Sequence, residues 1–193
     1  MKNNFDSSEE LYFSWYLEQL KASRYINHWE RIETSYLLTK GLEHEYIKPM
    51  KKVEDKALKQ TILAPSSYIP DFIIYWEPKA IGIFVSKESK TVGKIITPFL
   101  CTDDELISIV ETKGTFDMGN MTRLANNNIK FVYEKYQVYI NMVKVPTIFK
   151  HTFTPERYLF TDKSMQPRKI NYGTKKKIIG PRTLREFIDT IQK

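Results

Sequence analysis

"YIPDFIIYW", residues 68 to 76, decides how this chain is read. Pro70 and Asp71 stand at the mouth of "FIIYW", an apolar run rich in aromatic and β-branched residues, the composition of a buried core strand. A carboxylate in that position needs a reason. "SIVETKG", residues 108 to 114, repeats the pattern: apolar "ISIV" runs directly into Glu111, Lys113 comes two residues later and Gly114 ends the strand. Strand side chains alternate with a period of two, so Glu111 and Lys113 project from one face while Val110 and Thr112 project from the other. If the two strands are neighbours, Asp71 shares the face of Glu111 and Lys113 at the strand mouth.

Two carboxylates beside an ammonium on rigid backbone offer hard oxygen donors. These suit Mg²⁺, which keeps several waters and takes one or two carboxylates plus a substrate phosphate, and Mn²⁺ is a natural substitute. Lys113 is then placed to orient or deprotonate a water and to offset charge developing at phosphorus. The same residues have a plainer reading, in which Asp71 accepts hydrogen bonds at a strand start and Glu111 and Lys113 form a same-face ion pair.

Outward from these strands, "DSSEELYFSWYLEQLKASR" opens with Ser7 three residues before Glu10, a capping-box spacing, and carries Phe13, Tyr16, Leu17 and Leu20 on one helical stripe. Residues 29 to 39 read as a strand, and "GLEHEYIKPMKKVEDKALKQ" as charged loop with some helix. Residues 69 to 76 and 106 to 113 are the two strands already described, and "AIGIFVS" and "GKIITPFL" form two more around a turn. A helix is predicted from about 120 to 136, with Met121, Leu124, Ile129, Val132 and Tyr136 inward. A strand comes next at 138 to 146, stopped by Pro146, and then a short helix at "RTLREFIDTIQ". Helix, strands, helix, strand implies an α/β (α+β) fold with a central mixed sheet flanked by helices.

In "YIPDFII" and "IVETKG" the chain resembles the PD-(D/E)XK nuclease superfamily, and within it the phage junction-resolving endonucleases of the endonuclease I type. The likeness covers roughly residues 7 to 145. It implies a restriction-endonuclease-like core and a Mg²⁺-dependent endonuclease acting on DNA, at branched or distorted structures such as Holliday junctions; the alternatives are a non-catalytic nucleic-acid-binding or virion-associated protein on that scaffold and a site-specific nuclease of the restriction or transposition type. Asp71 and Glu111 would hold the metal, with the backbone of Thr112 as a further ligand, and Lys113 would assist the attacking water. A Glu on the first helix would complete the site, either Glu10, whose apolar neighbours Phe13 and Leu17 match the family spacing, or Glu9. The 39 residues between Asp71 and Glu111 exceed a simple hairpin, so a hairpin is expected to be inserted at about 77 to 105, and Lys87, Lys90 and Lys94 on it could touch the substrate backbone.

The chain has 193 residues, 41% of them hydrophobic, which fits one domain with a core that needs no covalent staples. Its one cysteine, Cys101, cannot form an internal disulfide. No stretch is apolar enough for a membrane span and the first 15 residues carry acid, so a soluble cytoplasmic protein is expected. The net charge of +7 equals the seven Lys and Arg of 163 to 182, a segment without an acid. Within the basic extension of about 147 to 193, Arg168, Lys169, Lys175, Lys176, Lys177 and Arg182 would grip DNA phosphates, although a charge run is often only a solvated face. Thr115, Asn120 and Arg123 stand either near a bound phosphate or at a helix start. Symmetric cutting of two strands would need a homodimer. His28, His44 and His151 lack metal-ligand spacing, and seven glycines include no phosphate-cradling loop.

Overall fold

The computed structural model describes residues 5–49, 56–89, 95–102, 106–114 and 119–192, with side chains for all of these except 87–89, 95–96 and 119–121. Helix α1 spans Ser8–Ala22. Its start obeys the capping-box spacing: the Ser7 hydroxyl accepts from the Glu10 amide at 3.1 Å and donates to the Glu10 carboxylate at 2.9 Å. Phe13, Tyr16, Leu17 and Leu20 are fully buried on one stripe.

The central sheet takes β1 (Ile26–Arg31), then, after an excursion, β6 (Phe72–Trp76), β9 (Ile107–Lys113) and β10 (Ile140–Lys144). Spatial order is β1-β6-β9-β10. The first three strands run antiparallel, and β10 runs parallel to β9. A parallel neighbour requires a crossover, supplied by helix α2 (Gly119–Tyr136). α1 and α2 cover opposite faces. Phe72, Ile74, Trp76 and Val110 join the α1 core, while Ile109, Ile140 and Val132 of α2 form a second cluster with Ile73 against it. β9, covered on both sides, is buried from Ser108 to Thr112, which is why "ISIV" carries no polar alternation.

The excursion between β1 and β6 is a paired β-ribbon. β2 (Tyr36–Thr39) pairs with β5 (Ser66–Tyr68), and β3 (Leu42–Lys48) pairs with β4 (Lys56–Leu63), all antiparallel. Gly41, at φ 92°, sits at the junction, where an added Cβ would lie 3.0 Å from Pro65 Cδ. The base is fastened to α2: Lys135 Nζ donates to the Leu38 carbonyl, Tyr136 Oη donates to the Leu37 carbonyl at 3.0 Å, and the rings of Tyr36 and Tyr136 meet edge-on.

Several expectations change here. The predicted strand at 29 to 39 belongs to two strands in different sheets, and in the expected loop with helix after it the described residues form β3 and β4, while 50 to 55 lie outside the described residues. The inserted hairpin is present as β7 (Val85–Ser89) against β8 (Ile95–Pro98), and β6 and β9 remain direct neighbours despite it. Lys90 and Lys94 lie outside the described residues, as does the side chain of Lys87. On α2 the inner positions are Ala125, Ile129 and Val132, a run at helical spacing that leaves Leu124 58% exposed and Tyr136 43% exposed; the Met121 side chain is outside the described set. Strand β10 ends at Lys144, and Pro146 opens the next element instead of blocking it: the residue occupies the first turn of α3 (Val145–His151), where its missing amide costs nothing.

The extension is part of the core. Phe149, Phe153, Leu184 and Phe187 are buried in the α1 cluster, the last two on helix α4 (Leu184–Ile191). Tyr16 stacks on Phe153 with centroids 4.4 Å apart, and Phe187 meets Phe84 at 5.8 Å. Among the described residues no helix is long and apolar enough to cross a membrane.

Candidate active site

Phe72 lies opposite Val110 in the β6–β9 ladder, so the next pair outward is Asp71 and Glu111. The regular ladder stops there. The Asp71 amide donates to the Val110 carbonyl at 3.0 Å, and the Thr112 amide, instead of meeting a carbonyl, donates to Asp71 Oδ2 at 2.6 Å. The Thr112 hydroxyl donates to the same oxygen at 2.7 Å. Pro70 contributes by having no amide to place in the ladder. Asp71 therefore does accept hydrogen bonds at a strand start, as the plainer reading has it, through one oxygen; Oδ1 accepts none among the described residues.

Glu111 is 5% exposed, and its Oε1 pairs with Lys113 Nζ at 2.6 Å, two positions along the same face. That face is the α2 side of the sheet, whereas Thr112 points to the α1 side. Asp71 stands where the two sides meet. Burial, then the neighbouring Glu111 charge, raise the Asp71 pKa above its ordinary value, against the opposing influence of the Thr112 bonds and Lys113.

Along the sheet end runs an open cleft of about 340 Å³, lined by Ser7, Glu9, Glu10, Asp71, Thr112, Lys113 and Gly114. Both helix acids reach it, in different states. Glu10 is buried and bound into the cap, and its Oε2 also pairs with Arg31 at 3.0 Å. Glu9 extends toward the end of β9, so that a Cβ added to Gly114 would lie 2.9 Å from its Oε1. Among the described residues no three His, Cys, Asp or Glu side chains already form a cation cage.

Two residues here carried no flag in the sequence. Arg31 gains its meaning from the burial of Glu10, since a buried carboxylate is rarely left unpaired. Tyr68 had no signal at all. Its hydroxyl oxygen is buried without a well-formed hydrogen bond. Burial first, and then the nearby Glu111 and Asp71, hold its phenol far above the ordinary tyrosine range.

The tail cations divide. Arg168 pairs with Asp162 and lies over the rings of Tyr12 and Tyr158, and Arg182 donates to the carbonyls of Thr152 and His151 and covers Phe187. Both are occupied in fixing the extension onto the core. Lys169, Lys175, Lys176 and Lys177 are exposed. Thr115 and the side chain of Asn120 lie outside the described residues, and Arg123 is exposed on α2. His28 stacks on Tyr75 at 3.9 Å, as a strand residue rather than a ligand.

No protein-family model matches the chain, and no curated protein or solved structure gives a match.

Proposed function

We propose that this chain is a metal-dependent endonuclease with a restriction-endonuclease-like core, hydrolysing DNA phosphodiester bonds. The observation that carries the reading is the meeting of Asp71 with the Glu111–Lys113 pair on adjacent antiparallel strands, beside a cleft that also admits a helix carboxylate. The four-stranded mixed sheet between two helices supports the core assignment.

The donor set fits Mg²⁺. It is all oxygen, Asp71 keeps one oxygen uncommitted among the described residues, and a cation that retains several waters needs no closed protein cage. Asp71 and Glu111 would hold it, with the Thr112 carbonyl and one helix acid completing the donors. When bound, Mg²⁺ polarises the scissile phosphodiester and makes water more acidic. Thr112 fixes the Asp71 carboxylate by one oxygen at the wall of the cleft. Lys113, held by Glu111, orients the attacking water and offsets negative charge as the bond to phosphorus forms and the leaving oxygen departs. The exposed lysines of the extension add backbone attraction without sequence choice. Preference for branched DNA is inherited from the family resemblance, and symmetric cleavage would join two copies.

The test is incubation with single-stranded, duplex and four-way-junction DNA, with Mg²⁺ or chelator, beside Asp71→Asn and Lys113→Ala. Cleavage by the parent with Mg²⁺ alone, reduced at least about 100-fold in both variants while binding persists, is expected. Variants that cut as well as the parent overturn the assignment. Binding by all three without cleavage by any makes the chain a non-catalytic nucleic-acid-binding protein instead.

A further inference from the structure

The β3–β4 ribbon has no core to cover: every residue of β3 is exposed, and in β4 only Leu58 is partly buried. Its two faces nevertheless differ in chemistry. Pairing sets Glu43 opposite Thr61, Glu45 opposite Lys59 and Ile47 opposite Ala57 on one face. There Lys59 is neutralised, 3.0 Å from Glu45 and 3.8 Å from Glu43. The other face carries His44 opposite Gln60, Tyr46 opposite Leu58 and Lys48 opposite Lys56, with no acid among the described residues. The His44 and Tyr46 rings lie parallel there.

Like charges directly opposite one another on a strand pair are destabilising, by a few tenths of a kcal/mol to about 1. Lys48 and Lys56 hold that arrangement with no ion pair among the described residues. Carboxylates stand at the right spacing on the ribbon, but on the wrong face. An exposed ribbon whose described acids, Glu43 and Glu45, share one side while lysine faces lysine on the other is built to meet an anion.

The ribbon is also rooted beside the site. Its root strand β5 ends at Tyr68, whose phenol stands against Glu111, and Asp71 lies three residues further on. α2 holds the root through the Leu37 and Leu38 carbonyls, so the arm springs from a fixed base close in the chain to Asp71 of the cleft.

Resting on the nuclease reading, we infer that the β3–β4 ribbon is a DNA-binding arm whose basic face, Lys48 and Lys56 with His44, Tyr46 and Gln60, lies along the duplex flanking the cleavage site. Seven paired residues span about 20 Å. A two-stranded ribbon fits the roughly 12 Å major groove, with lysines reaching the phosphates on its walls.

The experiment measures anisotropy of a labelled DNA duplex in chelator between about 50 and 200 mM salt, for the parent, Lys48→Gln/Lys56→Gln and, on the opposite face, Lys59→Gln. Removing two phosphate contacts should weaken binding roughly tenfold and lower the salt slope by about 2. Lys59→Gln should leave the slope unchanged, and melting of the double variant should be no lower than the parent's, because a repulsion has been removed. If the parent binds and cuts DNA but the double variant keeps its affinity and slope, the arm falls and the nuclease reading stands. A lower melting temperature with an unchanged slope overturns the arm likewise, in favour of a structural role. A parent that neither binds nor cuts any polynucleotide overturns both.

Discussion

Asp71 takes both the amide and the hydroxyl of Thr112 on a single oxygen, at 2.6 and 2.7 Å, and by doing so replaces the backbone carbonyl that would otherwise close the ladder. The strand pair is ended by a side chain instead of by a turn. The carboxylate is thereby held in place beside a second acid, Glu111, at an electrostatic cost.

That cost has a pH signature. The folded pKa of Asp71 is raised, chiefly by burial and then by Glu111, so the folded state binds its proton more tightly than the unfolded chain does. Its contribution to stability is fully present below the ordinary value of 3.8 and is lost as pH rises through the raised folded value. In chelator, parent melting temperature should therefore fall relative to Asp71→Asn as pH is raised from about 4 toward neutrality. Parallel melting curves for the two proteins across that range would contradict it.

Glu111 and Lys113 form the second electrostatic unit. With 7% exposure of the Glu111 side chain, loss of the lysine charge leaves a buried carboxylate without its partner. Lys113→Met, which keeps the stem's bulk, should destabilise the protein by about 3 kcal/mol in chelator. Mg²⁺ bound beside Glu111 replaces part of the missing charge, so its addition should raise the melting temperature of the variant more than that of the parent. Equal increments in the two proteins would argue against a cation at Glu111.

The pieces of this site that the sequence made legible are those whose neighbours are covalent or set by strand period. The Glu111–Lys113 pairing is an i, i+2 relation, and the Ser7–Glu10 cap is local; both come from spacing alone. Asp71 needed the additional condition that β6 and β9 be adjacent, which the inserted β7–β8 hairpin left intact. The ribbon was not legible because periodicity reports burial, and β3 has no buried face to impose a pattern. Tyr68 was invisible for a different reason: its hydroxyl acquires meaning only when the ribbon folds back to set it against Glu111. Pro146 misled because the same missing amide that ends a strand is harmless at a helix start.

The two helix acids are separable by experiment. Glu10 holds the cap and pairs with Arg31, so Glu10→Ala should cost about 1 to 2 kcal/mol of stability whatever its part in cleavage. Glu9 reaches toward Gly114 and carries no comparable packing duty, so Glu9→Gln should melt within about 0.5 kcal/mol of the parent. If Glu9 is the acid that completes the metal donors, this variant should also need a higher Mg²⁺ concentration for half-maximal cleavage. An unchanged Mg²⁺ requirement in Glu9→Gln, with a raised one in the folded fraction of Glu10→Ala, would assign the role to Glu10.

The basic composition of the extension gives it the look of a detachable tail, yet its helix belongs to the core. Phe187 of α4 is 6% exposed and meets Phe84, which itself packs on Tyr16 and Trp76. Arg182 covers the Phe187 ring while its guanidinium satisfies two carbonyls at the end of α3. Phe187→Ala removes the aromatic group and leaves a cavity walled by residues that are held from other directions and cannot collapse into it. The cost should be about 3 to 5 kcal/mol, comparable with truncating a phenylalanine anywhere in the core. Lys175→Gln, Lys176→Gln and Lys177→Gln together, on the exposed part of the same extension, should leave stability within about 0.5 kcal/mol while flattening the salt dependence of DNA binding. Urea melts of the two variants separate the roles: a Phe187→Ala protein as stable as the parent would mean that α4 is an appendage and the core closes without it.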